Sequence, residues 1–197
     1  RSANGTFTST CAPPNSSRVL TPANVTSSAM PRSFDMASDY DSTVAKVHRA
    51  LCTKRYWQAR LADSGVDEAR LDSITLGQDG GVDVVTTQVL LSSRLPGFVS
   101  QFHRGDLEIR REELWTPLVD GQATAAITGG IAGAPVSVTG GAELTPSDAG
   151  AHLAFAAKVT VRVPLVGGKL ETFISNQLVE LLNAEQRFTT RWLAGER

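Results

Sequence analysis

The chain has 197 residues, which is enough for one domain with a sizeable hydrophobic core but short for two. Its 41% hydrophobic and 20% charged residues are typical of a soluble globular protein, and a net charge of −1 argues against nucleic-acid binding. The sequence contains no apolar run of about 18 residues, so no membrane span is predicted. Cys11 and Cys52 cannot form a disulfide framework, so a reducing, cytoplasmic setting is the simplest interpretation.

The first 29 residues differ in composition from the rest of the chain. They are rich in Ser, Thr, Asn, Pro and Ala, show no hydrophobic period, and carry only Arg1 and Arg18 as charged side chains. Such a segment cannot bury enough apolar surface to offset the entropy lost on ordering. We therefore expect residues 1–29 to be a disordered or non-native tail, with the natural start at Met30 and one folded domain over residues 30–197.

A strand and two short helices are predicted after Met30. In "RSFDM", Phe34 and Met36 alternate with polar residues, which indicates a strand. "SDYDSTVAKVHRAL" is typical of a helix capped by Asp41 or Ser42, with an apolar face formed by Val44, Val47 and Leu51. "TKRYWQARLADSG" predicts a second short helix with Tyr56 or Trp57 and Leu61 facing inward.

From Leu71 onward the period drops to two, which predicts six antiparallel strands. "LDSITL" and "VDVVTTQVLL" flank Asp79-Gly80-Gly81, a hairpin signal, and a short helical or looped segment follows at Pro96. The later strands are "DLEIRREELW", "QATAAITGG", "PVSVTGGAEL" and "HLAFAAKVTVRV". The last of these alternates so regularly that one face of the sheet should be buried and the other should face water.

After Pro164 the spacing becomes helical. A stripe recurs at three- and four-residue intervals through Leu170, Phe173 or Ile174, Gln177, Leu181, Ala184, Phe188 and Trp192. This pattern predicts a long amphipathic helix. Its apolar stripe must be buried, and the nearest apolar surface is the concave face of the sheet.

The segment "VPLVGGKLETF", residues 163–173, looks at first like a phosphate-binding loop. That motif requires G-x-x-x-x-G-K-Ser/Thr, but Val163 stands at the first glycine position and Leu170 at the hydroxyl position. We therefore interpret Gly167 and Gly168 structurally, as residues that let the chain turn sharply and the helix begin close over the sheet.

The element order, the closing "VPLVGGKLETFISNQLVELLNAEQRFTTRWL" and the opening "PRSFDMASDYDSTVAKVHRAL" resemble the helix-grip (SRPBCC) superfamily over roughly residues 31–193. That superfamily includes START-type lipid carriers, the major birch pollen allergen and bacterial polyketide cyclase-like proteins, and the chain resembles a bacterial branch without an assigned function. The resemblance implies an α+β fold: a curved antiparallel sheet of about seven strands wrapped around a long C-terminal helix, with two short helices after the first strand. It also implies a hydrophobic ligand cavity, but no particular activity.

Small residues on the late strands bear on the question of a cavity. Ala123, Ala125, Ala126, Gly129, Gly130, Gly140, Gly141, Ala154, Ala156 and Ala157 leave little side-chain volume there. Either they leave an internal pocket, or they only permit bending and close approach of the helix. The resemblance favours a pocket, and its expected lining is Phe98, Phe102, Trp115, Phe155, Leu170, Phe173, Ile174, Gln177 and Leu181.

Few residues suggest chemistry. No histidine stands at metal-ligand spacing from another ligand, so neither a metal nor a cofactor is expected. His48 and His152 are interpreted as surface residues, whereas His103 should lie beside the cavity mouth. In "EIRREE", Arg110 and Glu112 share one strand face and Arg111 and Glu113 the other. The outward pair should form a cross-strand charge pair, and Arg111 and Glu113 would face the cavity if their face is the inner one.

Three hypotheses about function follow. The leading one is a cytoplasmic carrier or sensor of a small hydrophobic ligand, such as a lipid or polyketide-like compound. A cyclase or dehydratase with His103, Arg111 and Glu113 as its polar set would show inward titratable side chains in the cavity. A protein-interaction module would show a filled interior. Neither nucleic-acid binding nor stable membrane insertion is expected, and a protein partner is left open.

Overall fold

The computed structural model describes residues 32–100, 103–163 and 167–195. The elements, in chain order, are β1 (Arg32–Tyr40), α1 (Val44–Leu51), α2 (Lys54–Ala62), β2 (Glu68–Leu76), β3 (Val82–Leu90), α3 (Gly97–Ser100), β4 (Leu107–Trp115), β5 (Ala123–Ile131), β6 (Val136–Ser147), β7 (Gly150–Val161) and α4 (Gly167–Ala194). The expectations about residues 1–29, the start at Met30, and Cys11, Phe102 and Pro164 lie outside the described residues.

The seven strands form one antiparallel sheet in the order β1-β7-β6-β5-β4-β3-β2. Strands β2 to β7 pair with their sequence neighbours, and β1 pairs with β7. The predicted hairpin at Asp79-Gly80-Gly81 is confirmed: Gly77 N donates to Gly81 O at 2.8 Å. Helix α4 contacts β1, β7, α1 and α2. The helix-grip α+β fold is therefore the fold of this chain.

The alternation predicted for the last strand is present in β7. Ala157 and Val159 are buried, whereas Ala156 and Lys158, which alternate with them, are exposed. The pairing register continues the inner face across the sheet, with Phe155 opposite Met36 on β1 and Ala142 on β6. Because side chains alternate along a strand, the register assigns an inner face to β1 and to β3–β7, whereas β2 has a register shift between Leu71 and Ser73.

Two hydrophobic clusters lie at opposite ends of α4. At one end, Tyr56 and Trp57 of α2 pack with Leu193, near the end of α4. At the other, Leu170 near the helix start packs against Val159 and Val161 of β7. The middle of α4 lies between the two clusters, and there the candidate site is found.

The beginning of α1 differs from the prediction. Strand β1 extends to Tyr40, which is buried and pairs with Ala151, so Ser38–Tyr40 belong to the strand. The N-cap is Thr43, not Asp41 or Ser42, and its side chain accepts a hydrogen bond from Lys46 N at 3.3 Å. Burial of the tyrosine keeps the chain in the sheet longer than its polar neighbours suggest.

The double glycine has the predicted role at one position. A Cβ on Gly167 would lie 3.1 Å from the carbonyl oxygen of Val161, so the close approach of α4 to β7 restricts side chains there. A Cβ on Gly168 would meet open space. Only the first glycine is therefore needed to bring the helix close to the sheet.

Candidate functional site

Three adjoining cavities lie between α4 and the inner face of the sheet, and we name them chambers A, B and C. Chamber A has a volume of about 70 Å³ and is lined by Tyr40, Tyr56, Arg60, Glu113, Trp115 and Glu185, among others. Chamber B has about 90 Å³, and its lining includes Gln88, Ile109, Gly129, Val138, Gln177 and Leu181. Chamber C has about 60 Å³, with Val99, His103, Pro135, Val163 and Leu170 in its lining.

Shared side chains separate the chambers. Arg111, Ile127, Phe155 and Leu182 line both A and B, whereas Leu107, Ile131, Val136, Phe173 and Ile174 line both B and C. The three chambers therefore follow one another along α4, and each constriction consists mostly of apolar side chains that can change rotamer.

Four buried charged side chains form the wall of chamber A. Arg60 on α2 lies 2.7 Å from Glu185 on α4 and 3.3 Å from Glu113 on β4. Arg111 on β4 lies 2.7 Å from Glu185. Its Nε is also 3.1 Å from Glu113 Oε1, although that N–H is not aligned for a hydrogen bond. Two guanidinium groups and two carboxylates therefore balance in charge.

Aromatic side chains make further contacts with this charge cluster. Trp115 Nε1 donates to Glu113 Oε2 at 3.0 Å, and the guanidinium carbon of Arg60 lies 4.4 Å from the centre of the Trp57 ring. A cation over an aromatic face is attracted by the ring quadrupole, more strongly when it is shielded from water. Each of the four charged groups thus has at least two partners, which buried charges require.

The cluster shifts the pKa values of Glu185 and Arg60. Burial opposes ionisation of Glu185, but Arg111 and Arg60 outweigh it and hold the pKa of Glu185 below its usual range. Burial likewise disfavours the charged form of Arg60, yet Glu185, Tyr56 and Glu113 raise its pKa. Tyr40, also in chamber A, has a pKa raised mainly by burial. Glu185 and Arg60 therefore stay ionised at neutral pH.

Gln88 supplies a different polar group to chamber B. It is only 5% exposed, and Nε2 has no hydrogen-bond partner among the residues that the structure describes. Gln88 pairs with Ile109 and Arg111 pairs with Thr86, so Gln88 and Arg111 are diagonal neighbours on the inner face. An unpartnered buried amide costs about 1–3 kcal/mol, so a hydrogen-bond acceptor supplied to Nε2 would be favourable.

Most residues expected to line the cavity lie on the chambers. Trp115 lines A, Phe155 lines A and B, and Leu170 lines C. The other α4 positions, which are Phe173, Ile174, Gln177 and Leu181, line B. Phe98 does not line any of the three: it is 38% exposed and packs edge-on against Phe173 at 5.6 Å between ring centres. Phe102 lies outside the described residues.

The structure does not bring together the polar set His103, Arg111 and Glu113 that was suggested for an enzyme. Arg111 and Glu113 do face inward, but His103 lines chamber C, where its Nε2 lies 3.0 Å from the carbonyl oxygen of Asp106. The outward pair, Arg110 and Glu112, is 3.4 Å apart along one strand. The prediction of a cross-strand pair was wrong because the residues opposite them are uncharged.

The expected exposure of His48 was also wrong. It is 8% exposed, with Nε2 2.9 Å from the carbonyl oxygen of Thr116 and Nδ1 3.8 Å from Cys52 Sγ. The chain after β4 covers this face of α1, which the helical pattern could not reveal.

His152 is partly exposed and lies 2.8 Å from Asp39. Within residues 32–100, 103–163 and 167–195, no three His, Cys, Asp or Glu side chains cluster as metal ligands, and no helix could span a membrane.

Three inward polar residues were not singled out from the sequence. Arg60 follows the buried Tyr56 by four positions, and Glu185 follows Leu181 by four, so both lie on the apolar faces of their helices. Gln88 follows the buried Val84 by four positions on β3, so the two side chains lie on the same face of the strand. The helical and strand spacing therefore indicated that these three side chains point inward. A charged residue within an apolar stripe is nevertheless easily interpreted as solvent-exposed.

The comparison with known families agrees with this architecture. Residues 35–193 match the model of the family described as "Protein of unknown function (DUF2505)". The chain belongs to this family. It is 49% identical over 170 residues to the uncharacterized protein Rv0481c of Mycobacterium tuberculosis, a match that covers 83% of this chain and 98% of that protein. The uncharacterized protein Mb0491c of Mycobacterium bovis matches to the same extent.

Solved structures support the fold of this DUF2505 member. TTHA0849 from Thermus thermophilus superposes with a TM-score of 0.54 at 10% identity, over 84% of this chain and 97% of that one. Ms6760 from Mycobacterium smegmatis gives 0.52 at 8% identity, over 84% and 92%. At such low identity the likeness concerns the fold alone.

Proposed function

We propose that this protein binds a small hydrophobic ligand, such as a lipid or polyketide-like compound, between the sheet and α4, and carries or senses it as START-like proteins do. The observation that carries the proposal is the row of three adjoining chambers, of which B is lined mostly by apolar side chains. Burial of an alkyl chain there would contribute about 0.8 kcal/mol per methylene.

The chamber sizes limit the shape of the ligand. Each chamber, at 60–90 Å³, is smaller than the roughly 150 Å³ cavity that accommodates a benzene ring. A ligand with one or more aromatic rings, or with a long alkyl chain, would therefore have to extend through more than one chamber. Phe155 and Leu182 would move at one constriction, or Phe173 and Ile174 at the other.

The alternative functions have less support. Inward titratable side chains are present, as a cyclase or dehydratase would need, but Arg111 and Glu113 are bound in ion pairs and His103 lines another chamber. An interaction module would not need the chambers. We therefore retain ligand binding.

Native mass spectrometry of the full chain, purified gently from its own host, tests the proposal. A discrete added mass that disappears on delipidation is the expected result, and its fragmentation would identify the compound. The delipidated protein should then take up the neutral fluorescent probe N-phenyl-1-naphthylamine. A bare mass together with no uptake of the probe would refute ligand binding.

Two matched variants locate the binding. Val138→Phe places a larger side chain into chamber B and should abolish uptake of the probe. Thr139→Phe adds the same ring to the exposed face of the same strand and should leave uptake unchanged. Equal binding by both variants would place the probe outside the chambers.

A further inference from the structure

The polar side chains of chamber B differ in what they can still bind. Gln177 is exposed, and Arg110 is paired with Glu112 on the outer face. Arg111 is held by Glu185 and Glu113. Among the described residues, two buried side chains of this chamber carry an N–H group without a hydrogen-bond partner: Gln88 at Nε2, and Arg111 at Nε, which lies 3.1 Å from Glu113 Oε1. Because the Arg111 group already lies within ion-pair distance of a carboxylate, Gln88 Nε2 is the buried donor that a neutral ligand in chamber B would meet.

The charge cluster beside chamber B determines which ligand charge is acceptable. Arg111 belongs to both, and its positive charge is already balanced within the set of Arg60, Arg111, Glu113 and Glu185. A ligand carboxylate would add a third negative charge to this buried, neutral set. The desolvation of an uncompensated charge costs several kcal/mol, whereas a neutral oxygen avoids that penalty.

Building on the proposed function, we propose that chamber B selects ligands with a neutral carbonyl oxygen, in an ester or ketone, which accepts a hydrogen bond from Gln88 Nε2. The alkyl part of the ligand then occupies the apolar remainder of chamber B and one neighbouring chamber. Free fatty acids in their ionised form are excluded by the balanced charge cluster.

Competition against N-phenyl-1-naphthylamine at pH 8 tests this selectivity on the delipidated full chain. The competitors are 2-undecanone, methyl decanoate and sodium decanoate, which have similar chains but different head groups. Both carbonyl compounds should compete at least about tenfold more tightly than decanoate, which is ionised at this pH. Decanoate binding as tightly as the ketone would overturn the proposal.

Substitution of Gln88 tests the anchor itself. Gln88→Leu and Gln88→Met should each weaken binding of 2-undecanone about tenfold relative to binding of the probe, which has no carbonyl oxygen; tenfold is the value of one buried hydrogen bond. The exposed Gln78→Leu is the matched control and should change neither affinity. If both Gln88 variants still bind the probe and bind 2-undecanone as tightly as the wild type, the role of Gln88 as the anchor is refuted but ligand binding is not. If the wild type binds none of the compounds, the proposed function itself is refuted.

Discussion

The carboxylate of Glu185 on α4 lies 2.7 Å from the guanidinium of Arg111 on β4, so a charged contact joins the middle of the helix to the sheet that surrounds it. The same carboxylate binds Arg60 of α2, also at 2.7 Å. One helical residue therefore connects three elements that are distant in sequence. Its position in the wall of chamber A makes it important for both stability and cavity shape.

Replacing Glu185 should destabilise the fold strongly. Glu185→Ala leaves two buried guanidinium groups with only Glu113 as a countercharge, and loss of one partner of a buried pair typically costs about 3–5 kcal/mol. Urea denaturation would measure the change in the free energy of unfolding. Glu180→Ala, at an exposed position of the same helix, should change it by less than about 0.5 kcal/mol. Similar losses in both variants would contradict a special role for the cluster.

Stability should depend on pH through Glu185. Its pKa is lowered in the folded protein from an ordinary value of 4.5, so its contribution is fully present above pH 4.5 and is lost as the pH falls through the folded pKa. The difference in unfolding free energy between wild type and Glu185→Gln should therefore shrink as the pH is lowered from 4.5. Urea midpoints measured from pH 7 to pH 3 would show this. A difference that stays constant over this range would mean that the pKa is not lowered.

Two glycine substitutions should have opposite effects. A Cβ on Gly140 would lie 2.6 Å from Ala156 O and 2.9 Å from Ala157 Cβ, so Gly140→Ala should destabilise the sheet by about 1–3 kcal/mol. Gly168→Ala meets open space in the first turn of α4 and should stabilise the protein by up to about 1 kcal/mol. Thermal unfolding of both variants tests the pair. A stabilising Gly140→Ala would show that β6 and β7 can separate locally.

Gln88→Leu should raise the stability of the delipidated protein. The substitution removes a buried N–H that has no partner among the described residues, and such a group costs about 1–3 kcal/mol. We expect the free energy of unfolding to rise by about 1 kcal/mol. Gln78→Leu, which is exposed, should leave it unchanged. Loss of stability in Gln88→Leu would indicate that the carboxamide is satisfied in the delipidated protein.

The order of elements and the inner face of most strands followed from the sequence by itself. Side-chain direction has a period of two in strands and 3.6 in helices, so Phe155 and Val159 on β7 and Leu170 on α4 could be assigned to the interior from their spacing. The alternation also put Arg111 and Glu113 on one face of β4, and only the identity of that face was left open. These are local properties, and local sequence is sufficient for them.

The chemistry of the interior was decided by the tertiary structure. Arg60 is 53 residues from Glu113 and 125 from Glu185, and no pattern within one helix shows that such partners will meet. His48 is buried for the same reason, since the chain after β4 covers it. A charged or polar side chain is stable in the interior only when distant elements supply its partners. The sequence determined which side chains share a face, and the closure of the sheet around α4 determined which partners the inward side chains contact.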